Sequence, residues 1–241
     1  MNKISIDTKT YNLDIKDNDV YIIEVIENNT DINISILEEK SAKICLFISK
    51  SVVKVNINLS KNSSLLINQL GINSSIDYSS NLLYQSNLLV VDSILTNVDS
   101  INRIDINHKE SNSICKFITR GINLSNNKFY FLINGIINKD SFNVTLDENS
   151  RIININNGES KIIPNLIVDN KEVVANHSAF IGKFNSDDMY YLNSRGIDKK
   201  LAIKLMVKSF LLGNMESEFN ELKFIKILID NNIFLDNEIE I

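Results

Sequence analysis

The chain has 241 residues, with 25 basic and 30 acidic side chains and a formal net charge of −5. This length allows one large domain, or a domain with an appendage, and the acidic balance argues against a general nucleic-acid binder. No apolar run approaches the roughly 18–20 residues of a membrane-spanning helix, and the N-terminal segment lacks the apolar stretch of a secretory signal. We therefore expect a cytoplasmic protein that binds neither nucleic acid nor membranes.

The composition is unusually rich in two residue types, with 40 isoleucines and 37 asparagines, and it contains 7 glycines and 1 proline. A β protein with many hairpins normally needs more glycine and proline in its turns. Asparagine can replace glycine where the backbone adopts a left-handed conformation, because its short amide bonds to the neighbouring backbone. An asparagine-rich, glycine-poor β protein can therefore still turn.

Residues 4–184 follow the pattern of short β-strands. Apolar residues alternate with polar ones with period two over residues 31–37, 53–60, 101–107 and 151–157. Such runs recur roughly every 8–12 residues with Ser/Asn/Asp clusters between them, which is typical of a sandwich, a barrel or a solenoid. The frequent asparagines favour a parallel β-helix, in which we expect amide side chains to stack in ladders at successive corners.

The pattern becomes helical after Phe184. Ser186 is the expected N-cap of a first helix that stops at Gly196, and Asp198 caps a second helix that ends at Gly213. One stripe of the second helix carries Ile203, Val207 and Phe210 or Leu211.

A third helix is predicted from about residue 216 to 230, followed by an acidic, loose tail. The predicted organisation is a β core over residues 1–184 and a C-terminal helical domain over residues 185–241.

Few side chains suit catalysis or metal binding. The chain has two histidines, His108 and His177, and two cysteines, Cys45 and Cys115, with none of the usual metal-ligand spacings. Neither a nucleophile elbow nor a glycine-rich phosphate loop is present in the sequence. Each cysteine has an apolar neighbour and is first interpreted as a small core residue. These features predict a protein that is not an enzyme.

The segment from Pro164 to Ile197, PNLIVDNKEVVANHSAFIGKFNSDDMYYLNSRGI, resembles the C-terminal signature of the SufB/SufD family of iron–sulfur cluster assembly proteins. Upstream, His108 and Ser113 keep the spacing of a histidine–serine pair in that family, while Arg120-Gly121 replaces a lysine–glycine pair. The resemblance covers about residues 80–215. The positions of the signature segment that match in step are Pro164, Leu166, Val168, His177, Ala179, Gly182, Asp188, Tyr191, Leu192, Ser194, Arg195, Gly196 and Ile197.

The resemblance implies a right-handed parallel β-helix with a C-terminal helical appendage. It also implies a scaffold that binds a SufC-like ATPase through its C-terminal helices and pairs with a SufB/SufD-like subunit or with itself. A nascent iron–sulfur cluster is thought to lie at that subunit interface, and His177 matches a histidine proposed as one of its ligands.

Three departures from the family pattern concern the cluster ligands. Ala175 and Asn149 stand where related proteins have cysteines, and Ser178 replaces a glutamate. Iron–sulfur clusters normally take four protein ligands, mostly thiolates, so His177 needs further ligands from a partner. The chain is more SufD-like than SufB-like. One alternative is an interaction module of the same fold that has lost cluster binding, and a weaker one is a carbohydrate-active β-solenoid enzyme.

Two interfaces are expected. Met206, Phe210 and Leu211 give the second helix more apolar surface than one stripe buries, which marks the region that contacts the ATPase. The edge of the last strands, near residues 149–168, is the expected pairing surface of the β core. Asn149, Ser178 or a backbone carbonyl could accept a hydrogen bond from the second ring nitrogen of His177.

Overall fold

The structure, a computed structural model, describes residues 2–215. The chain winds into a solenoid whose fifteen strands alternate between two parallel sheets, and every strand pair is parallel. Up to residue 215, two helices follow the last strand. The parallel β-helix with a C-terminal helical appendage, predicted from the sequence, is confirmed.

The odd-numbered strands form sheet A and the even-numbered strands form sheet B, each stacked in chain order. Sheet A consists of β1 (Asn2–Ile6), β3 (Asp19–Val25), β5 (Ser41–Ser49), β7 (Ser64–Ile72), β9 (Asn87–Thr96), β11 (Ile114–Asn123), β13 (Val144–Asn154) and β15 (Val173–Gly182). Sheet B consists of β2 (Thr10–Ile15), β4 (Thr30–Ile36), β6 (Val52–Leu59), β8 (Ser75–Leu82), β10 (Ser100–His108), β12 (Lys128–Ile137) and β14 (Glu159–Val168).

The length of one coil grows along the chain. Ser41 pairs with Ser64, and Ser64 with Asn87, at a spacing of 23 residues, whereas Ile114 pairs with Thr145 after 31 residues. This drift explains why the sequence contains no fixed repeat even though the strands remain in register.

The core lies between the two sheets. Alternate residues of each strand point inward, as the period-two pattern predicts, and most of them are isoleucine, valine, leucine or phenylalanine. The largest fully buried side chains are aromatic and include Tyr78, Phe117, Phe129 and Phe131. The outward face of sheet A is also apolar in its later strands, because the helices cover it there.

Asparagine does occupy the left-handed corners. In the described part of the chain eight non-glycine residues have a positive φ, and five of them are asparagines: Asn29, Asn62, Asn73, Asn112 and Asn143. A corner amide can bond to the backbone of the next coil. The side-chain oxygen of Asn73, for example, accepts from the N–H of Asn97 at 2.8 Å.

The expected amide ladder exists, but it runs along strands and not along corners. The amide of Asn33 donates to Asn12, and that of Asn56 donates to Asn33, both at 2.8 Å. All three residues are in register on sheet B. On paired strands, amide side chains are stacked at the spacing of the sheet and can bond to each other. At a corner, a backbone N–H or C=O group lies nearer to the amide than the next side chain does.

Helix α1 spans Ser186–Ser194 and α2 spans Lys199–Leu212. The N-cap of α1 is Asn185 and not Ser186, because the Asn185 side chain accepts from the N–H of Asp187 at 3.0 Å. Gly196 has a φ of +82°, as a helix stop requires, and Asp198 caps α2 as predicted.

The helices pack on the outer face of sheet A. Ala202, Ile203, Val207 and Leu211 of α2 are buried in a second apolar cluster with residues of β7, β9, β11 and β13. Strand β15 ends at Gly182 and α1 begins at Ser186, close to the predicted boundary, but the division into two domains stays a prediction. The predicted third helix and the acidic tail lie outside the described residues. No helix within residues 2–215 is long and apolar enough to cross a membrane.

Candidate functional site

The solenoid ends in an open coil formed by β14 and β15. These strands are the last members of sheet B and sheet A, so each has a strand neighbour on one side only. Ile163, Ile167 and Val174 are about half exposed there, at 52%, 47% and 55%. The pairing edge expected near residues 149–168 includes β14, which is a free edge, whereas its β13 part is covered by β15, the other free edge of this end.

His177 faces the interior of the solenoid at this open end. Ala175, two residues earlier, packs against the core between the sheets, and strand alternation places His177 on the same face. His177 is nevertheless exposed, because β15 is the last strand of its sheet. Its register partner on β13 is Glu148, which lies on the same inward face.

Glu148 is a carboxylate inside the solenoid. The residue is 1% exposed, and neither carboxyl oxygen has a hydrogen-bond partner within residues 2–215. Gly135 of β12 provides the space, since a Cβ there would lie 2.8 Å from Glu148 Oε1. Burial raises the pKa of Glu148 to about 7, and the charge of Asp147 adds to the increase. A buried acid with free oxygens beside an exposed imidazole is a pair of potential metal or proton ligands.

Asn149 and Ser178 cannot serve as the hydrogen-bond acceptors expected for His177. They are register partners of each other and follow Glu148 and His177 by one residue, so they point to the opposite face of sheet A. This corrects the sequence-based interpretation. Glu148 is the register partner of His177 on the neighbouring strand and shares its face.

Further polar side chains face inward next to Glu148. Gln69, Asp92, Thr119 and Ser150 are consecutive register partners on sheet A and are at most 2% exposed. Asp92 is fully buried, and burial raises its pKa to about 8. Within the described part of the chain, none of these four side chains has a hydrogen-bond partner. The solenoid thus contains a polar row that leads toward the open coil.

The histidine–serine spacing near residue 108 has a structural explanation. His108 is fully buried, and its Nδ1 lies 2.7 Å from Ser113 Oγ. The Ser113 hydroxyl donates to the carbonyl oxygen of Glu110, so the His108 Nδ1–H is the donor to Ser113. Burial lowers the pKa of His108 to about 4, and the ring is neutral at pH 7. This pair closes the corner after β10 and lies away from the open end.

Both cysteines are buried, as expected for small core residues. Cys115 faces the interior, and burial raises the pKa of its thiol well above the usual value, so it stays protonated. The register places Cys115 beside Leu146, which in turn pairs with Ala175. Cys115 is thus two strands, about 10 Å, from the open coil and is not a ligand there.

The helix surface differs from the expected one at Leu211. This side chain is fully buried against sheet A, and the Leu211 carbonyl accepts from Ser93 Oγ at 2.7 Å. Leu211 is therefore not available to a partner, whereas Met206 and Phe210 are half-buried. The exposed apolar residues are Leu201 and Leu205 of α2, at 46% and 40%, and Tyr190 and Tyr191 of α1, at 77% and 57%.

Comparison with known families identifies the fold. Residues 22–210 match the family model described as SUF system FeS cluster assembly, SufBD core domain. This chain belongs to that SufBD family. The match covers all strands from β4 to β15, together with α1 and most of α2, and so includes both His177 and Glu148.

Individual SufBD relatives match over shorter segments. An iron-sulfur cluster assembly SufBD family protein of Mycobacterium leprae is 33% identical over 67 residues, which are 27% of this chain and 17% of that protein. A Mycobacterium tuberculosis member is 31% identical over the same length. The iron-sulfur cluster assembly protein SufD of Bacillus subtilis is 42% identical over 48 residues, 20% of this chain and 11% of SufD. Each match therefore spans less than a fifth of the relative.

The described residues at the open coil do not form a complete metal site. Among the described residues, no group of three or more histidine, cysteine, aspartate or glutamate side chains is placed to hold a metal ion. His177 and Glu148 together could supply one nitrogen and one or two oxygens. Glu148 was not among the residues expected at the site, although the alternation of Leu146, Glu148, Ser150 and Ile152 places this acid among core positions.

Proposed function

We propose that this SufBD protein is a scaffold subunit on which iron–sulfur clusters are assembled, with the open end of its solenoid as the cluster-binding surface. The observation that carries the proposal is the pairing of His177 with Glu148 at that end. His177 offers a ring nitrogen from the exposed side, and Glu148 offers carboxyl oxygens with no other partner in the described chain.

The nascent cluster is the cargo of this site and takes its other ligands from a second subunit. A cluster normally needs four protein ligands, and this surface supplies at most two side chains. The free edges of β14 and β15 flank the site, so a SufB/SufD-like partner, or a second copy, that pairs with these edges brings its own ligands close to His177.

The experiment is co-expression with a SufB-like subunit and a SufC-like ATPase, anaerobic purification and iron analysis. We expect His177→Ala to lose bound iron while the complex still assembles, and Glu148→Gln to lower the iron content. Ser178→Ala is the matched control, because Ser178 adjoins His177 but points to the opposite face. Wild-type iron content in His177→Ala would contradict the ligand role and leave an interaction module without cluster binding.

We also propose that a SufC-like ATPase binds the exposed helix surface formed by Tyr190, Tyr191, Leu201 and Leu205. These four side chains are apolar or aromatic and remain exposed, which is typical of a protein interface. Removing the helices is a poor test, since Ile203, Val207 and Leu211 are packed into the second apolar cluster. Point substitutions avoid that damage.

We expect Leu205→Glu and Tyr191→Glu to abolish recovery of the ATPase in a pull-down without unfolding the chain. Val52→Glu is the control, because Val52 is equally exposed, at 43%, but lies on β6 of sheet B. Undiminished ATPase recovery by both helix variants would refute this surface.

The pairing of the β core is tested separately, by light scattering of the chain with and without the SufB-like subunit. A mass of one chain in both samples would refute the pairing.

A further inference from the structure

A groove separates the helices from the outer face of the last sheet A strands. It has a volume of about 570 Å³, within the range of small-molecule sites. Arg151, Phe180 and Lys183 line it from β13, β15 and the segment after β15, while Tyr191 and Phe210 line it from α1 and α2. His177 is not part of this groove, because it points to the opposite face of β15 from Phe180.

The sheet side of the groove carries an excess of positive charge. Arg151 and Lys183 line it, and neither has an acidic partner within ion-pair distance in the described chain. Asp188 is the carboxylate among the lining residues. The net charge of the groove lining is thus positive, whereas the whole chain has a net charge of −5.

A buried arginine lies behind this surface. Arg120 is the register partner of Arg151 and is 7% exposed. Its Nη1 donates to the carbonyl oxygens of Thr119 at 2.8 Å and Asn149 at 3.0 Å, so backbone holds it in place of an acid. Burial and the charge of Arg151 lower the pKa of Arg120 to about 10, and it remains charged at pH 7. A buried cation behind an exposed one increases the attraction of this surface for an anion.

The rest of the groove is aromatic and apolar. The Arg151 guanidinium carbon lies 4.9 Å from the centre of the Phe180 ring, which fixes the orientation of the cation. Phe184 and Phe210 meet edge to face, with 6.2 Å between ring centres, and Met206 adds a flexible apolar wall. The two halves of the groove therefore suit different parts of one ligand.

We propose that this groove binds a small phosphorylated ring compound of nucleotide size, with its phosphate near Arg151 and Lys183 and its ring against the aromatic wall. The planar, always-charged guanidinium suits a phosphate, and the aromatic side chains suit a planar ring. The helices close one side of the groove, and the acidic charge of the remaining surface opposes a nucleic-acid polymer.

The test is isothermal titration of the full-length chain with AMP, with adenosine and inorganic phosphate as separate partial ligands. We expect saturable AMP binding, with adenosine and phosphate each at least about tenfold weaker, because each lacks one half of the ligand. No saturable AMP binding at millimolar concentration, or phosphate binding as tightly as AMP, would overturn the proposal.

Three variants assign the binding to this groove. Arg151→Gln should weaken AMP binding by about tenfold or more, because it removes charge-assisted hydrogen bonds. Arg103→Gln is the matched control, since Arg103 is an exposed arginine on β10 of sheet B. Asp188→Asn should tighten AMP binding by about two- to fivefold, because it removes the negative charge from the lining. Equal affinity of Arg151→Gln and the wild type, with melting temperatures matched, would place any AMP site elsewhere and refute the assignment.

Discussion

Replacing Asp92 with asparagine is expected to change how the stability of the protein depends on pH. Asp92 lies inside the solenoid between its register partners Gln69 and Thr119, and it is fully buried. Neither carboxyl oxygen has a hydrogen-bond partner within residues 2–215, and the charge of Asp92 would in turn raise the pKa of the buried Tyr78 hydroxyl. The carboxyl group is therefore held in its protonated, neutral form.

The magnitude follows from the pKa. Burial raises the pKa of Asp92 from 3.8 to about 8, so the folded protein binds this proton more tightly than the unfolded chain does. The free energy of unfolding must then fall as the pH rises from about 4 to about 8, by up to about 1.4 kcal/mol per pH unit. Between pH 5 and pH 7 the free energy of unfolding of the wild type therefore falls by about 2.5 kcal/mol. Asp92→Asn does not show this loss, because an asparagine side chain does not titrate.

Urea unfolding of both proteins at pH 5, 6 and 7 measures this difference. From pH 5 to pH 7 we expect the free energy of unfolding of Asp92→Asn to rise by about 2.5 kcal/mol relative to that of the wild type. In melting temperature this corresponds to a relative increase of about 5–10 °C. Asp169→Asn is the control, because Asp169 is exposed after β14. A wild-type-to-variant difference that stays constant within about 0.5 kcal/mol from pH 5 to pH 7 would refute the argument, since a carboxylate with an ordinary pKa gives no such change.

Three further predictions concern the solenoid itself. Gly121→Ala should destabilise the protein by about 1–3 kcal/mol in urea unfolding, because its Cβ would lie 2.3 Å from the buried ring of Phe129. Ser113→Ala should cost about 1–3 kcal/mol by the same measurement, because it removes the oxygen to which His108 donates, and unchanged stability would contradict that hydrogen bond. Asn33→Leu should cost about 1 kcal/mol or more, as it breaks both hydrogen bonds of the amide row, while Ser5→Leu on the exposed face of β1 should cost less.

Much of the solenoid could be predicted from the sequence, because the signals that specify its strands and corners lie within a few residues of each other. Period-two alternation sets which side chains of β6 or β10 face inward, and asparagine tolerates the left-handed backbone at corners such as Asn62. The helix starts and stops at Asp198 and Gly196 are equally local signals. The prediction that the amide ladder lies at the corners was wrong. At a corner the amide can bond either to another side chain or to the backbone, and composition does not show which of the two acceptors is preferred.

The candidate site depended on contacts between distant residues. The sequence identified His177, but its pairing with Glu148 arises from a strand register across 29 residues, and coil length drifts along the chain. The same register places Asn149 and Ser178 on the opposite face of sheet A, so neither accepts the hydrogen bond from His177 that the sequence had suggested. Leu211 could not be assigned to the core or the surface from its helix alone, because the face that is buried depends on where α2 packs on sheet A.

The sequence by itself therefore determined the strand pattern, the asparagine corners, the helix signals at Gly196 and Asp198 and a resemblance to the SufBD family that the family model confirms. Only the tertiary structure decided which residues are neighbours on adjacent strands and which are buried: Glu148 in register with His177, Asp92 in the interior, and Arg120 in register with Arg151. The physical reason is that alternation and capping act over a few residues, whereas burial, pKa and ligand geometry depend on neighbours one coil, or 19 to 31 residues, away.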